Sequence, residues 1–279
     1  MIRSPLSYSG SKFLLMKQLL PLFPKNIDTF YDVFCGSCTV SLNVDANHYK
    51  CNDICKPLID LYNYFKTEYQ ENKLQEYIEK YDLYNIKDEA FYKLRDLYNS
   101  SKDPLLLYIL SRCSFNHMIR FNSKNEFNVS FGNWFKINRK HHYDLDVLKF
   151  KNKDFYSQNF DDFLNAFEYN ENDFIYLDPP YLITNANYNS SWTEKEELKL
   201  LDFCSKTNAK FGISNVFEHK GRSNELLKEF AKEFAKEYNV YYLNKSYYAW
   251  NNSSKNKSDK TVEVYICNYE ITEGLENNI

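Results

Sequence analysis

No stretch of the chain stays apolar for long enough to cross a bilayer. The opening Met1-Ile-Arg-Ser-Pro-Leu-Ser-Tyr-Ser-Gly has no hydrophobic core of the kind a secretory leader carries. These two absences predict a cytoplasmic protein, in a bacterium or a phage-infected cell. Thiols stay reduced there, and the seven cysteines are an odd number that a closed disulfide framework cannot use up. Positive charge is not in excess: Lys+Arg total 35 against Asp+Glu 38, a net charge of −3. That total does not announce a nucleic-acid partner. Nor does it exclude one, because a local basic face decides such binding. The three-glycine fingerprint of a pyrophosphate-binding turn is absent, and the sequence contains no internal repeat and no nuclease signature.

What is present reads as an α/β chain. Its 279 residues allow one large domain or two modest ones. Aromatic residues reach 18%, which fits either base-stacking surfaces or the codon bias of an A/T-rich genome. Strands are predicted at 29–34, 48–53, 154–158, 174–177, 210–214, 240–243 and 262–267 from short apolar, β-branched runs. Lys12 to Phe23 reads as an amphipathic helix with Phe13, Leu14, Met16, Leu19 and Leu20 on one side, ended by Pro24. From Lys56 to Arg112 the pattern is helical, with stripes Leu58/Leu61/Tyr62/Phe65 and Phe91/Leu94/Leu97/Tyr98, and a buried segment at 105–110. Helices are also predicted at 193–206, opened by a Thr193/Glu196 capping box, and at 224–238. Arg120 to Trp134 alternates like a hairpin around a polar turn at Ser123-Lys-Asn. Lys136–His142 and Asn251–Lys260 read as loops. The plan is a sheet domain, 1–55 with 154–279, interrupted by a helical and hairpin module at 56–153.

Cys35, Cys38, Cys51 and Cys55 approximate a four-thiolate zinc pattern, and Cys-Gly-Ser-Cys has redox-pair spacing. The context points elsewhere. Cys35 and Cys38 flank Gly36-Ser37 directly after an apolar strand, where an open α/β sheet meets its ligand, and Cys51 lies inside a strand. Small buried cysteines in a tight turn is the better reading, and no metal is expected. Gly36 then lets the backbone approach a ligand. Asp32 before it and Asp53 at the tip of the next strand suit a ligand with an ammonium and hydroxyls, such as a nucleoside without phosphates. Taken alone, Asp53 reads equally well as a turn or helix-capping residue.

The most informative segment is Asn172-Asp-Phe-Ile-Tyr-Leu-Asp-Pro-Pro-Tyr181. A buried strand runs straight into Asp178-Pro179-Pro180-Tyr181, a stiff loop because each proline fixes its own φ and restricts the residue before it. The loop offers acceptors, the Asp178 carboxylate and the Pro179 carbonyl, beside the ring of Tyr181. Two acceptors next to a stacking face receive a planar group with an exocyclic amine, such as adenine or cytosine. A purely structural Pro-Pro turn is the competing reading, weakened by Gly36 and Asp53 after earlier strands.

At this point the chain resembles a family, the S-adenosyl-L-methionine-dependent DNA adenine methyltransferases of Dam type (alpha group, D12 class), and within it those of T-even bacteriophages. The resemblance runs along nearly the whole chain in order: Tyr8-Ser-Gly-Ser-Lys12, Asp32-Val-Phe-Cys-Gly-Ser-Cys-Thr-Val-Ser-Leu-Asn43, Asp103-Pro-Leu-Leu-Leu-Tyr108, Met118-Ile-Arg-Phe-Asn122, Asp178-Pro-Pro-Tyr-Leu-Ile-Thr184, Phe211-Gly-Ile-Ser-Asn215 and Glu263-Val-Tyr-Ile266. It implies a Rossmann-like methyltransferase sheet with an inserted helical and β-hairpin module that recognises DNA. It implies transfer of a methyl group to the N6 amine of an adenine flipped out of duplex DNA, within the sequence GATC in the family's usual pattern.

The resemblance also assigns roles. Tyr8 and Lys12 would lie at the methionine end of the cofactor, with Lys12 facing its carboxylate and Asp32 its ammonium. Phe34, Cys35 and Gly36 would pack against it, Asp53 would take the ribose hydroxyls, and Phe160 would sit beside the adenine. Asp178, Pro179, Pro180 and Tyr181 would bind the target base. Arg120 would be the principal base reader, with Phe115, Asn116, Met118 and Asn122 at the same interface and Lys136, Arg139 and Lys140 on phosphates. The chain departs from the Dam pattern at Ser130, where a proline is usual, and at Asn133-Trp134, where a basic stretch is usual; both leave an altered recognition sequence open. The implied partner is double-stranded DNA, bound by a monomer or a weak dimer. A DNA-binding protein without activity, and cytosine-amine or RNA targets, remain alternatives.

Overall fold

The computed structural model describes residues 1–4, 6–132, 152–184, 192–234, 237–243 and 261–271. Its centre is a mixed sheet in the order β3-β2-β1-β4-β5-β8-β7, with the short β6 paired to β5. The strands are β1 Ile27–Asp32, β2 Ala46–Asn52, β3 Lys153–Tyr156, β4 Phe174–Leu177, β5 Lys210–His219, β6 Arg222–Ser223, β7 Asn239–Leu243 and β8 Thr261–Cys267. The pairs β1–β2, β2–β3, β1–β4 and β4–β5 are parallel, while β8 runs antiparallel to both its neighbours. The chain fills one side of β1 with β2 and β3, then returns to its other side with β4. Strand order therefore reverses between β1 and β4, and an open sheet of this kind has its ligand crevice there, beyond the carboxyl ends.

Helices α1 Met16–Leu19, α2 Lys56–Thr67, α3 Glu71–Lys80, α4 Asp88–Ser101, α5 Pro104–Cys113, α6 Phe160–Asn165, α7 Glu194–Lys206 and α8 Glu225–Glu233 complete the described residues. None is long and apolar enough to cross a membrane. Two cores form. One joins Phe30 and Phe174 of the sheet to the buried faces of α2, α4 and α5 and reaches Phe127. The other places α6, α7 and α8 against Ile175, Phe211 and Ile213. The helical insertion therefore shares its core with the sheet. Helix α5 begins where Asp103 accepts the Leu105 N–H at 2.8 Å and Pro104 occupies the first turn, where its missing N–H costs nothing.

Several elements differ from the sequence reading. The helix predicted over 12–23 is four residues of α1 followed by a 3₁₀ turn at Leu20–Leu22. Pro21 supplies no N–H to continue it, and Leu14 is exposed. Leu97 leaves the α4 stripe and faces solvent, since Phe91, Leu94 and Tyr98 alone form the buried face. Strand β5 runs five residues beyond Ser214. The expected helix over 224–238 is α8, with Asn224 as its cap, accepting the Leu227 N–H at 3.1 Å. The hairpin is held by single bridges, Phe121 to Phe127 and Ser114 to Phe131, around a turn closed from Asn125 N–H to the Asn122 carbonyl. The loops expected at 136–142 and 251–260 lie outside the described residues.

Candidate active site

A cleft of ≈ 610 Å³ opens at the β1/β4 reversal. Its lining includes Tyr8–Lys12, the turn after β1, the tip of β2, the segment after β3 and the loop after β4, with residues from the start of α7, the end of β5 and β8. All the residues expected to bind the cofactor line it: Tyr8, Lys12, Asp32, Phe34, Cys35, Gly36, Asp53, Phe160 and Asp178. Pro179, Pro180 and Tyr181 line it as well.

The turn after β1 is built for close approach. Gly36 has φ +45°, and a Cβ there would lie 3.4 Å from the Tyr8 ring. The Tyr62 hydroxyl donates to the Gly36 carbonyl at 2.7 Å, which ties the turn to α2. Asp53 accepts the Gly36 N–H at 3.0 Å and the Cys55 N–H at 2.8 Å. It is thus a turn residue and a wall of the cleft at once, and each carboxylate oxygen retains a further lone pair for a hydroxyl. Burial raises its pKa, against the two backbone N–H groups, which lower it. Asn52 clamps the strand tips: its amide donates to the Val33 and Gln158 carbonyls, both at 3.1 Å, and accepts the Gln158 N–H at 2.9 Å.

Asp32 is 1% exposed, and its Oδ2 has no hydrogen-bond partner among the described residues. Burial, then the nearby Asp178 carboxylate, push its pKa up to about 7. A carboxylate so placed wants a cation or a donor. Lys12, also buried, donates to Asp178 Oδ2 at 2.5 Å and to the Gly10 carbonyl at 3.3 Å, with its ammonium 5.1 Å from the centre of the Tyr181 ring. Lys12 thus holds the acid of the Asp-Pro-Pro-Tyr loop. The pair is charge-assisted and partly desolvated, so it fixes the direction of the Asp178 carboxylate more firmly than a surface pair could.

Two residues that sequence reading passed over belong to this site. Trp192 lines the cleft beside Phe34 and Phe160, and its Nε1–H donates to the buried Glu197 at 2.7 Å. The only hint was a tryptophan set directly before a capping box. Cys35, Cys38 and Cys51 are buried in the core, and all described cysteines are free; no metal-binding group of His, Cys, Asp or Glu occurs among the described residues.

The hairpin residues are placed more loosely. Phe115, Asn116, Arg120 and Ser130 are exposed, and Met118 and Asn122 are half-buried. Asn116 and His117 both take positive φ, which turns the chain sharply before Met118. The Arg120 guanidinium donates to the Asn128 side chain at 2.9 Å and to its carbonyl at 3.1 Å. Asn122 is engaged inside the turn, accepting the N–H groups of Lys124 and Glu126 and donating to the Glu126 carboxylate. Asn133, Trp134, Lys136, Arg139 and Lys140 lie outside the described residues. Hairpin and cleft are linked: Ser7 bridges to Met118, and the Ile119 N–H donates to the Ser7 carbonyl at 3.3 Å.

Comparison with known proteins agrees with this geometry. The family described as D12 class N6 adenine-specific DNA methyltransferase matches residues 8–249, and the chain belongs to it. Enzymes of that class use S-adenosylmethionine. Modification methylase StsI of Streptococcus sanguinis is 41% identical over 96% of this chain and 43% of its own length. Type II methyltransferase M.FokI of Planomicrobium okeanokoites is 38% identical over the same two shares, 96% and 43%. The DNA adenine methylase of Salmonella typhi is 30% identical over 70% of this chain and 72% of its own. The chain thus spans less than half the length of the first two relatives. These matches support the class, and their modification methylases take the place of the expected kinship with T-even phages.

Proposed function

We propose that this chain transfers a methyl group from S-adenosylmethionine to the N6 amine of an adenine flipped out of duplex DNA. The observation that carries the reading is the Asp178 carboxylate, aimed by Lys12 across the strand-order reversal from the unpartnered oxygen of Asp32.

The residues fit the cofactor. Asp32 Oδ2 is a buried acceptor waiting for an ammonium, Gly36 leaves space that a side chain would fill, and Asp53 has acceptor capacity for ribose hydroxyls. Lys12 and Tyr8 would bound its amino-acid end. When bound, S-adenosylmethionine supplies an electrophilic methyl group. The chain supplies orientation. An aromatic amine is a poor nucleophile because its lone pair is drawn into the ring. Asp178 and the Pro179 carbonyl accept its two hydrogens and draw that lone pair out of conjugation, toward the face that must attack. Both contacts are hydrogen bonds; as positive charge develops on nitrogen, the Asp178 carboxylate stabilises it, and with the S–C bond broken and S-adenosylhomocysteine left behind, the nitrogen loses one of its two protons to solvent. Tyr181 presents a ring for the extruded base, a contact worth roughly 1–3 kcal/mol. Pro179 and Pro180 keep the loop stiff, so little reorganisation remains once the base is seated.

For sequence choice, the hairpin resemblance supports GATC with Arg120 reading guanine through its free guanidinium edge. A second reading rests on a specific observation: the relatives of higher identity are modification methylases, and Ser130 departs from the Dam pattern. That reading has the same chemistry on a different sequence. The test is transfer of labelled methyl to unmethylated duplex DNA, with the product base identified and its context mapped. N6-methyladenine confined to GATC supports the first reading, N6-methyladenine in another fixed sequence supports the second, and methylcytosine or no product refutes the proposal.

A further inference from the structure

Beyond Asp53, the cleft ends in an aromatic corner. Phe34 and Phe160 have ring centres 5.7 Å apart, and Trp192 stands edge-on to Phe34 at 5.5 Å and tilted to Phe160 at 5.1 Å. Such corners bind flat, electron-rich rings, and the nearby acid at the tip of β2 suits an attached sugar. Trp192 itself comes from the segment before α7 and is buried in the second core. Its orientation is set from behind. Glu197, fully buried, accepts the indole N–H at 2.7 Å on one oxygen. On the other it accepts the amides of Asn224 at 3.0 Å and Asn215 at 3.3 Å. Asn224 caps α8 and Asn215 lies in β5, so two elements fix the carboxylate that α7 carries, and the carboxylate fixes one indole.

A buried carboxylate met, among the described residues, by neutral donors is an expensive way to hold a fold together, and well-packed apolar residues would serve stability as well or better. What an apolar replacement could not do is dictate the plane of the indole. We infer that Trp192 forms the wall of the purine end of the cofactor pocket, and that Glu197 is a positioning residue acting through it. This rests on the proposed binding of S-adenosylmethionine and adds to it a wall residue and the group that aims it.

The test uses the full chain with S-adenosylhomocysteine as an unreactive probe, measured by calorimetry, and cofactor KM and kcat in the methylation assay. Trp192→Leu is expected to weaken probe binding about tenfold or more. It should raise KM for the cofactor in parallel, by a larger factor than it lowers kcat. Trp192→Phe, which keeps a ring but has no N–H, is expected to recover most of the affinity. Glu197→Gln sets an amide N–H₂ against the donors of its neighbours and is expected to weaken binding several-fold. In the Trp192→Phe background the same change should have little effect, because no indole is left to aim. Unaltered binding in Trp192→Leu, or an equal loss from Glu197→Gln in both backgrounds, would overturn the inference. If Glu197→Gln fails to fold, the Leu and Phe variants at position 192 decide it by themselves. A wild-type chain that binds no S-adenosylhomocysteine overturns the proposed function as well; a wild-type chain that binds it while Trp192→Leu binds equally well overturns only the role of Trp192.

Discussion

The cleft and the hairpin solve opposite problems with the same kinds of side chain. In the cleft and behind it the charged and polar groups are buried and fixed by partners far away in sequence: Lys12 on Asp178, Asn52 across three strand tips, Glu197 with Asn224. In the hairpin they are exposed or half-buried and fixed by near neighbours: Arg120 by Asn128, Asn122 by Glu126. Long-range partners in low dielectric give a precise, stiff geometry, suited to a reacting amine and a cofactor. Short-range partners in water give groups that can exchange a neighbour for a ligand at small cost, suited to reading a surface.

Breaking the stiff side should have the largest effect. Asp178→Asn is expected to lower turnover by about 10²–10³ while probe binding stays within severalfold, as for loss of one preorganised transition-state contact. Near-normal turnover in that variant would remove the carboxylate from the chemistry. On the exposed side, Arg120→Ala is expected to reduce discrimination between cognate and mismatched DNA by about 1–3 kcal/mol without changing the melting temperature. Equal weakening on every sequence would make Arg120 a phosphate contact. A third change sharpens the contrast in stability. A Cβ at Gly212, in the middle of β5, would lie 1.9 Å from the Tyr265 hydroxyl, so Gly212→Ala is expected to destabilise the chain by about 1–3 kcal/mol through overpacking. Thermal unfolding with and without the probe measures it; an unchanged melting temperature would mean that Tyr265 can move aside.

The smallest effect is a pH dependence confined to the buried side. Asp32 has its pKa raised to about 7, so its folded form keeps a proton that the unfolded chain has released. From this group alone, stability is greatest below its ordinary pKa and declines as pH rises toward about 7. Binding an ammonium requires the ionised form, so affinity for S-adenosylhomocysteine should rise about tenfold between pH 6 and pH 8. Asp32→Asn should abolish that rise. A flat profile in the wild type would show that the ammonium is held elsewhere.

The sequence was most legible where structure is local. Phe174–Leu177 is an apolar run stopped by two prolines, and β4 has those bounds. Thr193 and Glu196 announce the start of α7 and form the capping box there. Legibility failed where a polar residue is satisfied by something remote. Ser214 and Asn215 look like the end of a strand, yet β5 continues through them, because Tyr176 donates to Ser214 at 2.8 Å and Asn215 reaches Glu197. The candidate residues of the cleft could be named from motifs. That Lys12 grips Asp178, 166 positions away, could not, since only the pairing of β1 with β4 brings the two together. The 12–23 helix failed for a different reason: periodicity suggested it, and Pro21 cut it short.

The bridge from Ser7 to Met118 bears on how such a protein could be re-engineered. The segment that leads into Tyr8 and Lys12 is stitched to the arm that carries Arg120. A graft of residues 56–153 from a relative would therefore bring a new arm to an old seam. Under the proposed recognition role of this insertion, exchanging it for a relative's requires the first dozen residues of this chain to travel with it, as a matched pair of parts.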